Sequence, residues 1–118
     1  MIFTSYFAKL SKLPSGIVPI SICGKAPDWY TGLQYKKLAP RYWFFMEWKV
    51  SHDNAYYVKR FNQEVLSKLN ADVVVNELLS LSEEKPFALI CYERPGEFCH
   101  RHLVAEWLCE NGYYCEEK

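Results

Sequence analysis

Long apolar runs and targeting signals are absent from this sequence. No stretch approaches the ~20 consecutive apolar residues that a membrane-spanning helix needs. Residues 1–16 lack the basic start, apolar core and small-residue cleavage site of a secretory signal. The five cysteines are an odd number and show no disulfide-framework spacing. We therefore expect a cytoplasmic protein with reduced thiols and no membrane partner.

Motifs that hold cofactors or metals are also missing. The chain has no Gly-rich nucleotide-binding fingerprint. Cys91 and Cys99 are eight residues apart instead of forming a C-x2-C pair, so zinc would need Cys23 or His100 to complete its ligands. The sixth residue after Cys91 is Glu97, which does not fit the C-x5-R loop of cysteine phosphatases. The sequence thus predicts neither a metal nor a cofactor, and it favours hydrolysis or group transfer over redox chemistry.

The chain has no net charge, but its charges are unevenly distributed. Residues 1–70 contain ten Lys or Arg and four Asp or Glu, whereas residues 71–118 contain four and ten, which gives +6 and −6. This pattern fits two complementary halves of one sheet protein, or a basic surface in the first half that meets an anion. With 118 residues, half hydrophobic and 17% aromatic, the composition predicts one globular domain over 1–118.

Strand-like and helix-like segments alternate along the chain. Short runs rich in apolar and β-branched residues predict four strands, at 2–6, 17–23, 87–91 and 113–116. Helices are predicted at 7–13, 41–49, 54–69, 71–84 and 99–112. The clearest apolar stripe, in the third of these, consists of Tyr57, Phe61, Val65 and Leu69. Asp53 and Asn70 are predicted N-caps, and the segment 24–40 is a predicted loop.

This alternation predicts a small three-layer α/β domain with a mainly parallel four-stranded sheet and helices on both faces. Pro19 cannot donate a ladder hydrogen bond, so the strand at 17–23 is expected at a sheet edge. The continuous apolar strand at 87–91 is expected in the centre. With the strands numbered along the chain, the predicted order is 2-1-3-4. Ligands of such sheets bind beyond the carboxyl ends of the strands at a switch point, here between the first and third strands.

The stretch ICYERPGEFCHRH (90–102) follows the predicted central strand and contains a Pro-Gly turn at 95–96. In the helix that follows, His100 shares the apolar face and points towards the sheet. It is either a core histidine bonded to a backbone carbonyl or a group that transfers protons. His102 lies on the opposite face, where we expect an exposed pair with Glu106.

The start of this helix suggests a reactive or anion-binding site. Helix-start amides, with Arg101 and His100, would lower the pKa of the Cys99 thiol and make it a nucleophile. Alternatively, Cys99 is a small buried residue in a tight turn. Arg101 is either an anion clamp or the partner of Glu93 or Glu97 in a salt bridge. Glu93 could position these groups, bind a hydroxyl, or act as a general base or nucleophile.

The segment LICYERPGEFCHRHLVAEWL (89–108) resembles the family called domain of unknown function 488. The hallmark is an apolar strand that ends in Cys91-x-Glu93, a short loop, and Cys99-His100-Arg101 at a helix start. Four further segments support the resemblance: IFTSYF, VPISI, GLQYKKLAP and YYVKRFNQEVL. It implies a small cytoplasmic three-layer α/β domain, often from bacteria or their phages, without a defined activity. Many relatives have Asp-Val-Arg after the second strand, whereas this chain has Ser21-Ile22-Cys23; its nearby cations are Lys25, Lys36 and Lys37.

Two classes of function fit these observations. The first is an enzyme or binding protein for a small anionic, phosphate-bearing or nucleotide-like ligand. The candidate catalytic residues are Glu93, Cys99 and His100. The candidate ligand-binding residues are Arg101, Ser5, Tyr6, Ser21, Cys91, Lys25 and Trp29. The loop 24–40, with Trp29, Tyr30 and Tyr35, would cover this site and stack a base.

The second class is a binding module without turnover that contacts single-stranded nucleic acid or a protein partner. Its candidate surface is the basic, aromatic-rich region 25–60. The residues that define it are Lys36, Lys37, Arg41, Lys49, Lys59, Arg60, Trp29, Trp43 and Trp48. Against this interpretation, the aromatic residues would pack the core and the lysines would solvate helix faces.

Overall fold

A computed structural model describes residues 1–94 and 96–118, and these residues form five strands and four α-helices. The strands are β1 (Ile2–Tyr6), β2 (Val18–Ser21), β3 (Leu33–Gln34), β4 (Phe87–Cys91) and β5 (Cys115–Glu117). The helices are α1 (Tyr42–Ser51), α2 (Asn54–Glu64), α3 (Ala71–Leu81) and α4 (His100–Glu110). Short 3-10 helices occur at Phe7–Lys12, Lys36–Leu38 and Leu66–Lys68.

All strand pairs in the sheet are parallel, and the order is β3-β2-β4-β1-β5. The prediction of an α/β fold with a parallel sheet is confirmed. The predicted order 2-1-3-4 is wrong in two respects. The central apolar strand, β4, lies between β2 and β1, and the segment Leu33–Gln34 adds a fifth strand beyond β2. All five residues of β4 are buried, which requires paired neighbours on both edges as well as cover on both faces.

Pro19 does not put β2 at the edge of the sheet. Its register partner in β4 is Ala88, whereas β3 pairs with Ile20 and Ser21. Because β3 stops short of Pro19, the position that lacks an N–H needs no donor on that side. Pro19 therefore limits the length of the β2–β3 pairing, but it does not force β2 to the edge of the sheet.

The two faces of the sheet pack into different core clusters. Phe87 and Leu89 of β4 join a large cluster that contains buried apolar residues from each of the four α-helices. Ala88 and Ile90 join a smaller cluster with Phe7 of the first 3-10 helix. This alternation follows from the period of two along a strand. The α-helices thus form a thick layer on one face, and the opposite face carries a thinner layer of 3-10 helix and loop.

Local helix signals in the sequence are confirmed. The Asp53 carboxylate accepts from the Tyr56 N–H, and the Asn70 side chain accepts from the Val73 N–H, both at 3.1 Å. The predicted helix 54–69 changes into a 3-10 helix after Val65. None of the helices in the described residues is long and apolar enough to span a membrane.

The predicted turn after β4 lies partly outside the described residues, because it includes Pro95. Its second residue, Gly96, has a φ of +90°, a value that glycine adopts without strain. The Glu97 N–H donates to the Arg94 carbonyl oxygen at 3.1 Å. Cys99 lies close to the end of β4, with its sulfur within 4.8 Å of the Cys91 sulfur.

Candidate functional site

Three cysteines and one histidine meet at the carboxyl ends of β2 and β4, and we call Cys23, Cys91, Cys99 and His100 the thiol–imidazole cluster. Cys23 lies just beyond β2, Cys91 ends β4, and Cys99 directly precedes α4. The Cys23 and Cys91 Sγ atoms are 3.4 Å apart, and the Cys91 Sγ is 3.5 Å from the His100 Nδ1. The candidate ligand atoms of Cys91, Cys99 and His100 all lie within 4.8 Å of one another.

His100 is held by a backbone contact and faces the thiols. It is buried, and its Nε2 lies 2.8 Å from the Ile22 carbonyl oxygen. Because a carbonyl only accepts, Nε2 carries a proton and donates it to this hydrogen bond, and Nδ1 lies on the side of the Cys91 thiol. The interpretation of His100 as a core histidine bonded to a carbonyl is confirmed. Its other nitrogen is nevertheless directed at the cluster.

The pKa values of the Cys91 and Cys99 thiols are raised above the ordinary value of cysteine. The hydrogen bond with Cys23 raises the pKa of Cys91, and burial adds to this effect. The hydrogen bond with Cys91, followed by burial, raises the pKa of Cys99. The predicted lowering of the Cys99 pKa is therefore wrong. Cys99 is the N-cap of α4, but its side chain makes no capping hydrogen bond, so no helix-start amide donates to a thiolate there.

A cavity of about 700 Å³ opens beside the thiol–imidazole cluster. All four members of the cluster contribute to its lining. The other lining residues are Gly24, Lys25, Pro40, Tyr42, Phe45, Met46, Trp48, Lys49, Tyr57, Tyr92, Glu93 and Phe98. The cavity lies beyond the carboxyl ends of β2 and β4, whereas the sequence predicted the site between the first and third predicted strands, β1 and β4. In the observed order β4 neighbours both β1 and β2, and the cavity lies at the β2–β4 junction.

Aromatic side chains from α1, α2 and the β4–α4 loop form one wall of the cavity. The Phe98 ring lies 5.0 Å from the Tyr57 ring and 5.4 Å from the Trp48 ring, measured between centroids. Phe45 stacks on Trp48 at 6.3 Å. The Trp48 indole N–H donates to the Asn54 side chain at 2.7 Å. We call Phe45, Trp48, Tyr57 and Phe98 the aromatic wall, and planar ligands stack on surfaces of this kind.

Two lysines and one glutamate supply the charge in the cavity lining. Lys25 and Lys49 are exposed, and the Lys49 ammonium lies over the Phe45 ring, 5.4 Å from its centroid. Glu93 is partly buried. That burial, followed by a hydrogen bond with Glu97, raises the pKa of the Glu93 carboxyl, although Arg101 acts in the opposite direction. The lining thus carries more positive than negative charge.

Arg101 points away from the cavity. Its side chain is fully buried, and its Nη2 and Nε donate to the two carboxylate oxygens of Glu117 at 3.0 and 3.2 Å. Nη1 donates to the backbone carbonyl of Glu93. The guanidinium also lies 5.7 Å from the centre of the Tyr6 ring. The expected salt-bridge partner, Glu93 or Glu97, is therefore replaced by Glu117 in β5.

Four other candidate ligand-binding residues lie outside the cavity lining. Ser5 and Ser21 are fully buried, and the Ser21 hydroxyl accepts from the Cys23 N–H at 3.3 Å. Tyr6 borders a separate shallow cleft with Lys9, Lys12 and Arg94. Trp29 is 62% exposed and packs edge-on against Phe7. Of the ligand-binding candidates, Cys91 and Lys25 reach the cavity, together with Glu93, Cys99 and His100 from the catalytic set.

The loop 24–40 supports the sheet, whereas α1 covers the cavity. Tyr30 donates to the Leu33 carbonyl oxygen at 2.6 Å, and the buried Tyr35 donates to Glu77 of α3 at 2.5 Å. These contacts fix the loop that leads into and out of β3. The aromatic cover that the sequence assigned to this loop comes mainly from α1.

His102 does not form the expected exposed pair with Glu106. No such ion pair occurs among the described residues, and the His102 Nε2 is buried without a hydrogen-bond partner there. Partial burial, followed by the nearby Arg101, lowers the pKa of His102.

The basic and aromatic side chains of region 25–60 lie on several separate surfaces. Lys37 forms an ion pair with Glu77 at 3.0 Å. The Arg60 guanidinium lies over the Trp43 and Tyr56 rings, 5.5 and 5.2 Å from their centroids. Trp48 belongs to the aromatic wall. Trp43 remains 46% exposed at the start of α1.

Sequence reasoning missed Lys49, Trp48 and Phe98 as cavity residues. The apolar run at 41–49 and the stripe that begins at Tyr57 were available signals, but they predict buried helix faces of any kind. A cavity forms only where two apolar faces are held apart. The gap between α1 and the β4–α4 loop depends on tertiary contacts, which no pattern of neighbouring residues encodes.

The fold and the site together define a small parallel α/β domain with a ligand-sized cavity and a thiol–imidazole floor. A family model described as DUF488-N3a, active DUF488-N3 subclade, matches residues 11–112. The chain therefore belongs to the DUF488 family, and the resemblance seen in the sequence is confirmed. No curated protein and no solved structure matches the chain.

Proposed function

We propose that the cavity binds a small molecule with a planar part and an anionic group, such as a nucleotide, and that the protein hydrolyses it or transfers a group from it. One observation carries this proposal: the aromatic wall, two lysines, a carboxylate and the thiol–imidazole cluster line the same cavity of about 700 Å³. Ligand sites are typically cavities of this size with mostly apolar walls and a few convergent polar groups.

Lys25 and Lys49 take the anion-binding role that the sequence assigned to Arg101. Both are exposed and line the cavity, whereas the Arg101 guanidinium is occupied by Glu117. Lysine binds phosphate as a flexible point charge and does not need the fixed geometry of a guanidinium. The aromatic wall takes the planar part, and stacking of this kind contributes about 1–3 kcal/mol per base.

Glu93 is the proton-transfer group in this proposal. Glu93 lines the cavity together with Cys99 and His100. The sulfur atoms of the cluster and the Nδ1 of His100 form the floor against which the reacting part of the ligand lies. The matching family model is described as an active subclade, and this description supports turnover.

The test is a thermal-shift screen with nucleoside monophosphates and sugar phosphates, with the matching nucleosides as uncharged counterparts. A ligand at a hundred times its dissociation constant stabilises a protein by about 2.7 kcal/mol. We expect phosphorylated compounds to raise the melting temperature of the wild type, and Lys25→Ala and Lys49→Ala to reduce that rise. Lys59→Ala is the matched control, because Lys59 is exposed and lies outside the lining.

Two results of the screen would contradict the proposal. One is the absence of any shift across the panel. The other is a shift that persists unchanged in both cavity-lysine variants. A hit is then incubated with the wild type and Glu93→Gln, and its products are followed by chromatography. Binding that survives in Glu93→Gln without product formation places the carboxyl group in the reaction.

Exposed side chains at the start of α1 favour a second candidate function, contact with single-stranded nucleic acid. Tyr42 is 74% and Trp43 46% exposed, Arg41 directly precedes them, and Tyr42 also lines the cavity. Bases stack on such rings while cations track the backbone. Binding of a fluorescent oligonucleotide should then fall steeply with salt and weaken in Trp43→Ala. Binding that does not respond to either change counts against this candidate.

A further inference from the structure

The thiol–imidazole cluster has the composition and dimensions of a metal site. We propose that Cys91, Cys99 and His100 bind a zinc ion at the floor of the cavity, with a fourth coordination position that faces the cavity. The inference does not depend on the proposed ligand, since metal content is measured without it.

The distances within the cluster are close to those of a tetrahedral zinc site. With zinc bonds of about 2.3 Å to sulfur and about 2.0 Å to nitrogen, the edges of the tetrahedron are about 3.5–3.8 Å. The Cys91 Sγ and the His100 Nδ1 are 3.5 Å apart. The candidate ligand atoms of all three residues lie within 4.8 Å of one another. Small rotamer adjustments therefore bring them to a common centre.

His100 is already oriented as a metal ligand. Its Nε2–H donates to the Ile22 carbonyl oxygen at 2.8 Å. A histidine that binds a metal usually gives its other ring N–H to a carbonyl or carboxylate, which fixes the tautomer and the ring orientation. Here that contact leaves the lone pair of Nδ1 directed at the cysteines. The imidazole would coordinate without any rearrangement of its backbone contact.

The donor set favours zinc over harder cations. Two thiolates and one imidazole suit zinc, whereas magnesium and calcium prefer oxygen ligands. Three protein ligands with an open position are typical of catalytic zinc sites. Cys91, Cys99 and His100 line the cavity, so the open position is accessible to a small molecule. Cys23, 3.4 Å from the Cys91 sulfur, donates its thiol hydrogen to that sulfur in this arrangement.

The first measurement is the metal content and the cobalt spectrum of the full-length wild type. Protein is stripped with a chelator under reducing conditions, loaded with Zn²⁺ and analysed by mass spectrometry for zinc per chain. A parallel sample is titrated with Co²⁺, which reports tetrahedral thiolate ligation through visible and charge-transfer absorption. We expect one metal per chain and a saturable tetrahedral spectrum. Substoichiometric zinc and no such spectrum would overturn the proposal.

Variants locate the metal. Cys91→Ser, Cys99→Ser and His100→Gln should each lose the cobalt spectrum. Cys109→Ser is the matched control, because Cys109 is exposed on the same helix, and it should keep the spectrum. Retention of wild-type metal binding in Cys99→Ser would overturn the assignment. Circular dichroism shows whether each variant folds.

Alkylation of the wild type keeps the test decisive if a variant fails to fold. Zinc should slow the reaction of Cys91 and Cys99 with iodoacetamide and leave the rate at Cys109 unchanged, as followed by peptide mass spectrometry. Equal rates with and without zinc at all three positions would contradict the site.

In Cys23→Ser, the intensity of the thiolate-to-cobalt band should equal that of the wild type. A drop by about one third would make Cys23 a third thiolate ligand and overturn the open fourth position.

Discussion

His100 and Arg101 are neighbours in the sequence, and they face different sides of α4. Successive residues of a helix point about 100° apart, so His100 faces the thiols beside the cavity while Arg101 faces Glu117 in β5. One side is a cluster of polarisable thiol and imidazole groups beside a cavity. The other side is an ion pair with a fully buried guanidinium and a partly buried carboxylate, outside the cavity lining. In the sequence, Cys99-His100-Arg101 resembles a single site. In the helix, His100 belongs to the candidate ligand site, whereas Arg101 forms a structural ion pair.

The two sides of α4 are held in place by different kinds of interaction. The Arg101–Glu117 pair joins the start of α4 to the last strand, and Thr4 of β1 also donates to Glu117, at 2.5 Å. Breaking a buried charge pair is costly, because the remaining charge stays desolvated. The thiols of the cluster form weaker neutral hydrogen bonds. Substitutions on the Arg101 side should therefore affect stability first, and those on the His100 side should affect binding first.

The largest effect is expected for Arg101→Ala. It leaves the Glu117 carboxylate partly buried without a cation and creates a void under Tyr6. The free energy of unfolding should fall by about 3–5 kcal/mol, measured by urea denaturation. A loss within about 1 kcal/mol, the range of exposed pairs, would show that the two sides of α4 do not differ as described.

Acid should weaken the same pair. Partial burial alone would raise the pKa of Glu117, but hydrogen bonds from Arg101 and Thr4 outweigh it and lower the pKa below its ordinary 4.5. Stability from such a carboxylate is present above about pH 4.5 and is lost as the pH falls through the folded pKa. Glu117→Gln should cost about 1.5–3 kcal/mol at neutral pH and flatten the decline in acid. If the wild type and Glu117→Gln lost stability equally as the pH falls, the Arg101–Glu117 pair would not be the acid-sensitive contact.

Ser5→Ala tests whether the end of β1 belongs to the ligand site. The Ser5 hydroxyl is fully buried and has no hydrogen-bond partner among the described residues. Its removal should stabilise the protein by about 1 kcal/mol and leave ligand shifts unchanged. Ser21→Ala is the matched control; it loses the contact with the Cys23 N–H and should destabilise by about 1 kcal/mol. A ligand shift abolished by Ser5→Ala would restore Ser5 to the site.

The smallest effect is expected at the exposed ion pair of Lys37 and Glu77. Lys37→Ala should cost about 0.2–1 kcal/mol, because water screens the pair and the side chains lose freedom when they meet. The difference from wild type should shrink in high salt. Thermal denaturation at low and high salt measures it, and a loss as large as that of Arg101→Ala would remove the contrast between buried and exposed pairs.

Features set by neighbours along the chain were predictable. The caps at Asp53 and Asn70 need a side chain and an amide only three residues apart, and the stripe from Tyr57 to Val65 needs only helical periodicity. The family resemblance depends on the motif around Cys91 and Cys99, which is also local. Features that join distant segments were predicted less well. The place of β4 between β2 and β1, the partner of Arg101 and the position of the cavity all depend on which segments meet.

The sequence by itself determined the α/β class, the helix starts and the residue types of the candidate site, because these follow from composition and from periodicities of two and 3.6 residues. The tertiary structure decided the strand order and which side chains share a space. Cys23 and Cys91 are 68 positions apart in the chain but 3.4 Å apart in space, because parallel strands separated in sequence end at the same edge of the sheet. Spacing along the chain argued against a metal site there, and three-dimensional proximity is the physical reason to propose one.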